Sequence, residues 1–370
     1  MHPMDEIERK IEAGRRISCT DAVTLMESHD LLRLGRLASI RYREKNGNNA
    51  YFIVNRHINP TNICVNRCKF CAFSRDSSAT DAYAMDLPEV MKRAEQGAAE
   101  GATEFHIVGG LHPDLPFDYY LRLLSSLREQ FPKIHIQAFT AVEIDYFTQI
   151  TGLTVPQVLQ ELKAAGLGSL PGGGAEIFDP EVRNAICPEK ITGERWLQVM
   201  EAVHEGGLRS NATMLYGHVE NAAARVDHMD RLRALQDRTG GFQAFIPLAF
   251  HPQNTQIADF AMTTGFDDLK TLAVSRIFLD NFDHIKAFWI MLGEKIAQVS
   301  LHFGVDDMDG TVVEEKITHA AGATTSEALS RETLVAMIRK AGRVPVERDT
   351  LYNEVRRYDL PTVPQSEVTT

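Results

Sequence analysis

From about residue 51 to 304, short apolar runs alternate with longer stretches whose apolar residues recur every three or four positions. The short runs predict strands: "YFIVNRHI" (51–58), "EFHIVGG" (104–110), "KIHIQAFT" (133–140), "LGSLPGG" (167–173), "RSNATMLYG" (209–217), "GFQAFIPLAF" (241–250), "HIKAFWIM" (284–291) and "QVSLHFG" (298–304). The stretches between them, such as "DLPEVMKRAEQGAAEG" and "PFDYYLRLLSSLREQF", predict amphipathic helices. Eight strands interleaved with helices predict an α/β fold, a parallel (β/α)8 TIM-type barrel. The competing architecture is a doubly wound sheet. It uses fewer strands, and its first turn carries glycines where this chain carries cysteines.

The barrel is expected over residues 49–305. Residues 1–48 read as an N-terminal helical extension. Ile7, Ile11 and Ile17 form its apolar stripe, Thr20 or Asp21 is an N-cap before Val23, Leu25 and Met26, and "EKNGNNA" is a break. Residues 306–370 read as a C-terminal extension that closes or packs on the barrel. It holds a helix in "SEALSRETLVAMIRKAGR", ended by Gly342 and Pro345, and a loose terminus, "LPTVPQSEVTT".

With 370 residues, 44% of them hydrophobic, the chain can bury the core of one large barrel plus extensions. A formal charge of −11 argues against nucleic acid or an anionic membrane as partner. No apolar run is long enough to cross a bilayer, and "MHPMDEIERKIEAGRR" lacks the apolar core of a signal peptide. The expectation is a soluble cytoplasmic protein. In that reducing compartment, clustered cysteines are metal ligands or catalytic groups more often than disulfides.

Three of the five cysteines, Cys64, Cys68 and Cys71, fall in "NPTNICVNRCKFCAFSRD", on the loop after the first expected strand. A barrel places that loop on its catalytic face. Thiolates suit zinc or iron–sulfur. A structural zinc needs a fourth ligand, from His57, Cys187 or a distant residue. A [4Fe–4S] cluster on three cysteines needs none and leaves one iron open. Phe70 and Phe73 can shield such a cluster, and Arg67 and Lys69 can offset its charge. Redox thiols are a third reading. Cys19 and Cys187 read as ordinary isolated cysteines. A zinc-stabilised binding protein on a barrel scaffold stays open beside an iron–sulfur enzyme.

The spacing Cys64-x3-Cys68-x2-Cys71, in this position, resembles the signature of the radical S-adenosylmethionine (SAM) enzymes. The resemblance implies a [4Fe–4S] cluster on the three cysteines, with Phe70 beside it. SAM is then a co-substrate whose amino and carboxylate groups chelate the open iron and whose reductive cleavage yields a 5′-deoxyadenosyl radical. Gly109 and Gly110 resemble the family's glycine motif, with Leu111 where a glutamate is common, so contact with the SAM amino group falls to backbone carbonyls. Thr140 and Glu143 are expected at the same mouth. Glu176 is expected at the ribose and Arg195 at the SAM carboxylate, with Arg183 as rival. The Glu-then-Arg spacing is similar to the branch containing biotin synthase and the hydrogenase-maturation enzymes. Met214 is expected against the adenine.

Several further segments, among them "GGLHPDLPFDYY", "IQAFTAVEI", "IPLAFHPQNT" and "LHFGVDDMDGTVVEEKITHAAGA", together resemble the aminodeoxyfutalosine synthase subgroup over most of residues 50–325. Cyclic dehypoxanthinyl futalosine synthases and deazaflavin (F0) synthase subunits share the layout. The resemblance implies a step of menaquinone synthesis. The adenosyl radical adds to the enolpyruvyl double bond of 3-[(1-carboxyvinyl)oxy]benzoate, and rearrangement with loss of a carboxyl carbon gives aminodeoxyfutalosine. A one-electron donor such as flavodoxin or ferredoxin is implied. Candidates for handling this aromatic enolpyruvyl ether are His112, His218, His251, Asn254 and Asp306, with Thr311, Arg56 and His57 nearby.

Overall fold

A computed structural model of the protein describes residues 3–359. The expected loose terminus, "LPTVPQSEVTT", lies outside the described residues. Eleven strands are found among them: β1 (Asn49–Ile53), β2 (Asn55–Ile58), β3 (Glu104–Ile107), β4 (His135–Ala138), β5 (Ser169–Leu170), β6 (Arg209–Tyr216), β7 (Phe242–Ala249), β8 (His284–Ile285), β9 (Asp307–Gly310), β10 (Val344–Arg348) and β11 (Glu354–Arg357).

Strands β2 to β8 form one parallel sheet in sequence order. Helices connect them, as right-handed crossovers require. The ring is completed by the segment that begins at β9. Lys286 bridges to Asp307 on one side, and Arg56 bridges to Val313 on the other. The amides of Ala287 and His57 donate to the carbonyls of Asp307 (2.8 Å) and Val313 (3.1 Å). Trp289 Nε1 donates to Gly310 O at 2.9 Å, pinning the two sides together.

The expected first strand is split at Val54. β2 enters the barrel, whereas β1 pairs in parallel with β10 and β9 in a second sheet, ordered β11-β10-β1-β9. The expected strand at 298–304 is instead the end of the helix Glu294–Ser300 and a turn. Its place in the barrel is taken by the polar run "DMDG". In the N-terminal extension the cap is Ser18, and Asp21 is the reciprocal partner in its capping box. The C-terminal helix runs Arg331–Lys340 behind Ser330 as N-cap.

The N-terminal end of the barrel is stoppered by charge pairs. Arg348 Nε and the Tyr352 hydroxyl each donate to Asp307 Oδ2 at 2.6 Å. Arg276 is buried against Asp306, and His284 Nδ1 lies 2.5 Å from Asp306 Oδ2. The opposite end opens into a cavity of about 330 Å3.

Candidate active site

The cysteine loop follows β2 and is fixed by backbone bonds to three neighbouring loops. Gly110 N donates to Thr61 O (2.9 Å), Val65 N to Leu111 O (3.0 Å), Lys69 N to Ile186 O (2.8 Å) and Gln256 N to Lys69 O (2.8 Å). Cys64, Cys68 and Cys71 all line the cavity, with Phe70 and Phe73 between and beside them. Gly110 is required here: a Cβ would fall 2.1 Å from Ile63 O and 3.1 Å from Cys64 Cβ. The glycine pair therefore seats the cysteine loop, and both glycines also line the cavity.

The donor set fits an iron–sulfur cluster. Three soft thiols share one loop, and burial pushes the Cys68 thiol up to about 12, so that a metal is needed to hold it as thiolate. A single zinc needs four donors within about 2.3 Å of its centre. Among the described residues no three His, Cys, Asp or Glu side chains gather about one such point. Cys187 is buried and packs with Cys68 and Ile186, behind the loop.

Glu143 ties the glycine pair to the next strand. It stands on the first turn of the helix Ala141–Thr151, and its Oε1 accepts from Gly109 N at 3.2 Å. Its Oε2 accepts from the Thr140 amide (2.7 Å) and hydroxyl (2.9 Å). Burial nonetheless pushes its carboxyl up to about 7. Thr140 and Glu143 both line the cavity.

Glu176 lies in the same wall, held in the left-handed region at φ 50°. A non-glycine residue there stores strain, which is found most often at functional sites. Its Oε1 accepts from Lys190 Nζ at 2.5 Å. Lys190 also stands 5.3 Å over the Phe70 ring. Glu176, then Cys68 and Cys187, hold this buried ammonium charged well above the usual lysine range. Sequence reasoning missed Lys190. The signal was its place in "ICPEK", between the expected ribose-binding Glu176 and Arg195.

The two rival arginines are placed differently. Arg183 is buried, and its guanidinium is consumed by backbone carbonyls of Ala175, Ile177 and Ile191. Arg195, at the start of the helix Gly193–Glu205, uses Nε on Asp145 Oδ1 at 2.6 Å. Its side chain is 39% exposed and is not in the cavity wall.

Met214 faces away from the cavity. It is fully buried in the core between the sheet and its helices, and its neighbours Thr213 and Leu215 line the cavity instead. Strand alternation puts only one parity inside, and the inward set is the odd one.

Of the five substrate candidates, only His251 lines the cavity, with Nε2 2.9 Å from Met291 O. His112 Nδ1 accepts from the amides of Asp114 (3.0 Å) and Leu115 (3.2 Å), and so orders its own loop. His218 likewise spends both ring nitrogens locally, on Leu215 O (3.0 Å) and Val219 N (2.8 Å). Asn254 is exposed and donates to Ala320 O at 3.0 Å, joining its loop to the short helix Ile317–Ala320. Asp306 is at the other end of the barrel, as counter-ion to Arg276. Thr311 bonds Asn55 across the barrel closure, and Arg56 pairs with Glu314. The wall further holds Phe250 and Phe288, and below them a polar layer of His57, His106, Lys286 and Asp309.

Comparison with known proteins gives the family. Residues 58–232 match the radical SAM superfamily, and residues 239–361 match the CofH/MqnC C-terminal region. The chain belongs to the radical SAM superfamily. It is 47% identical over 357 residues to the aminodeoxyfutalosine synthase of Thermus thermophilus, covering 95% of this chain and 96% of that one. It is 41% identical to the 5-amino-6-(D-ribitylamino)uracil–L-tyrosine 4-hydroxyphenyl transferase of Methanopyrus kandleri, covering 96% and 98%. It is 37% identical to the cyclic dehypoxanthine futalosine synthase of Streptomyces coelicolor, covering 94% and 88%. Among solved structures it shares the fold of the [FeFe]-hydrogenase maturase HydG, with TM-score 0.74 and 18% identity over 95% of this chain and 77% of that one. Methylornithine synthase is as close in fold, with TM-score 0.73 and 16% identity over 92% and 97%. Membership of this superfamily makes the protein a radical SAM enzyme and implies a [4Fe–4S] cluster and SAM. Among the described residues no helix is long and apolar enough to cross a membrane.

Proposed function

We propose that this enzyme joins the 5′-deoxyadenosyl group of SAM to 3-[(1-carboxyvinyl)oxy]benzoate, with rearrangement and loss of one carboxyl carbon, to give aminodeoxyfutalosine and methionine. One observation carries the reading. Identity over nearly the whole of both chains is 47% to relatives named for this activity from Thermus thermophilus and Streptomyces coelicolor, against 41% and 37% to the differently named relatives.

When bound, the cluster and SAM supply the 5′-deoxyadenosyl radical. The chain positions and shields it. Cys64, Cys68 and Cys71 hold the cluster. Gly109 and Gly110 offer carbonyls to the SAM ammonium, and Glu143 and Thr140 brace them. Glu176, steadied by Lys190, accepts from the ribose hydroxyls. Arg195, outside the cavity wall with Nε on Asp145, is assigned the SAM carboxylate through its two Nη groups, which requires them to swing toward the cavity when SAM binds. The apolar upper wall, with Phe250 and Phe288, holds the aromatic ring and excludes water. A one-electron donor such as flavodoxin or ferredoxin starts the reaction.

Products test the reading. The anaerobically reconstituted, reduced enzyme is given SAM and the enolpyruvyl benzoate, and the mixture is read by mass spectrometry. Aminodeoxyfutalosine carrying the adenosyl carbons is expected. Free 5′-deoxyadenosine as the stoichiometric product would overturn the assignment in favour of hydrogen abstraction.

A further inference from the structure

The cavity is two-toned. Its upper wall is apolar, but beneath it, toward the N-terminal ends of the strands, lie His57 of β2, Glu104 and His106 of β3, Lys286 just past β8 and Asp309 of β9. The register pairs His57 with His106, and the two rings stack with centroids 4.4 Å apart. His106 Nδ1 faces Glu104 Oε1 at 3.7 Å.

Lys286 is the feature that needs an explanation. Its side chain is 8% exposed, and its only hydrogen bond among the described residues is a long one, 3.4 Å, to Asp309 Oδ1. An ammonium has three donors. Glu104 and Asp307 balance its charge from nearby but are bonded to His106, Arg348 and Tyr352, and a buried ammonium with open donors is costly unless something completes it. Asp309 itself sits at φ 61°, a strained conformation held by its neighbours, and its amide donates to Asp307 Oδ1 at 2.6 Å. The layer is sealed from below by the Asp307, Arg348 and Tyr352 cluster, so the open side of Lys286 is the cavity.

We propose that Lys286, with Asp309 and the His57–His106 pair, forms a receptor for a carboxylate on the far end of an aromatic substrate, opposite the end that meets the cysteine loop. The reading rests on the reaction proposed above and assigns the ring carboxylate, not the enolpyruvyl one, to this floor. Geometry favours that orientation. From His106 to Gly109 is three residues, at most about 10 Å of extended chain. An aromatic ring with its carboxylate on the floor fills that depth and leaves the enolpyruvyl carbon beneath the cysteine loop. Burial pushes the Asp309 carboxyl up from its usual range, which weakens its hold on Lys286.

The test compares two probes on the reconstituted holoenzyme: 3-hydroxybenzoate and phenol, each as a competitive ligand against the enolpyruvyl benzoate. The wild type is expected to prefer 3-hydroxybenzoate by about 30-fold or more, the cost of leaving one buried charge unpaired. Lys286→Gln is expected to remove most of that preference by weakening 3-hydroxybenzoate and not phenol, with iron content and SAM binding retained. Lys286→Arg is expected to restore a large part of it. If Lys286→Gln does not fold, Lys286→Met takes its place. A wild type that binds both probes alike, or a neutral variant that keeps the preference, overturns the receptor. The proposed reaction fails separately. If the preference is present and depends on Lys286 but no adenosyl-linked product forms, the reaction is wrong and the receptor stands.

Discussion

Lys190 Nζ lies 2.5 Å from Glu176 Oε1, with little of either side chain exposed, and stands 5.3 Å over the Phe70 ring of the cysteine loop. The pair gives a glutamate held at φ 50° a cationic partner at the cavity wall. Lys190→Met leaves that carboxylate buried and alone. Removing one partner of a buried ion pair costs about 3–5 kcal/mol. Unfolding of the reconstituted enzyme is expected to show a loss of that order, and the double variant with Glu176→Gln is expected to recover a large part of it. Equal stability of wild type and Lys190→Met would mean that Glu176 is paired with water or another cation.

Arg195 and Arg183 separate cleanly by the same reasoning. Both terminal nitrogens of Arg183 are taken, by three backbone carbonyls. Among the described residues, the two terminal nitrogens of Arg195 have no partner. Arg195→Met is therefore expected to raise the KM for SAM about tenfold or more, as loss of a charge-assisted bond does, while the KM for the second substrate changes little. Arg183→Met is expected to lower the melting temperature first. An Arg195 variant with an unchanged KM for SAM would return the carboxylate to another donor.

The barrel strands that carry apolar residues on both faces were legible, because burial on two sides leaves a continuous apolar run. The last strand was not. In "DMDG" the odd positions, Asp307 and Asp309, point into a polar interior, so the run reads as a loop. The split at Val54 was hidden because β1 and β2 follow one another with only Val54 between them and no turn residue, and only pairing partners reveal that they belong to different sheets. The cysteine and glycine motifs were legible because their chemistry is local. Met214 was misplaced by one residue, which in a strand is the whole difference between cavity and core. Lys190 and Lys286 went unnoticed because a lone lysine carries no pattern. Only their burial marks them.

His228 gives the fold an acid limit. It is fully buried, stacked on Phe178 with centroids 4.1 Å apart, and its Nε2 lies 2.9 Å from Thr213 O. Burial lowers its pKa from the ordinary 6.5 to about 3. In the unfolded chain the ring takes a proton near pH 6.5, and in the folded chain only near 3. Protons therefore favour the unfolded chain across that window, and stability falls as the pH drops through it. His204, lowered to about 4, acts in the same direction. Between pH 6.5 and 5, His228 alone contributes a loss of about 2 kcal/mol. Unfolding of His228→Gln is expected to be less pH-dependent than wild type over that range, at some cost in stability at pH 7. An identical slope would show that the buried ring is already protonated.

Cys187 decides between the two metal readings of the cysteine set, zinc and iron–sulfur. It is the fourth thiol in space, buried against Cys68, and a closed four-ligand metal site would need it. A cluster with an open iron does not. Cys68→Ala is expected to lose most bound iron and all reductive cleavage of SAM to 5′-deoxyadenosine or its adducts. Cys187→Ala is expected to keep about four irons and four sulfides per chain, as its thiol lies behind the loop and is not in the cavity wall. Metal analysis and the visible absorption of anaerobically reconstituted protein read both. Loss of the metal on Cys187→Ala, or one zinc in place of four irons in the wild type, would make the site a closed structural one. Retained SAM cleavage by Cys68→Ala would remove that residue from the ligand set.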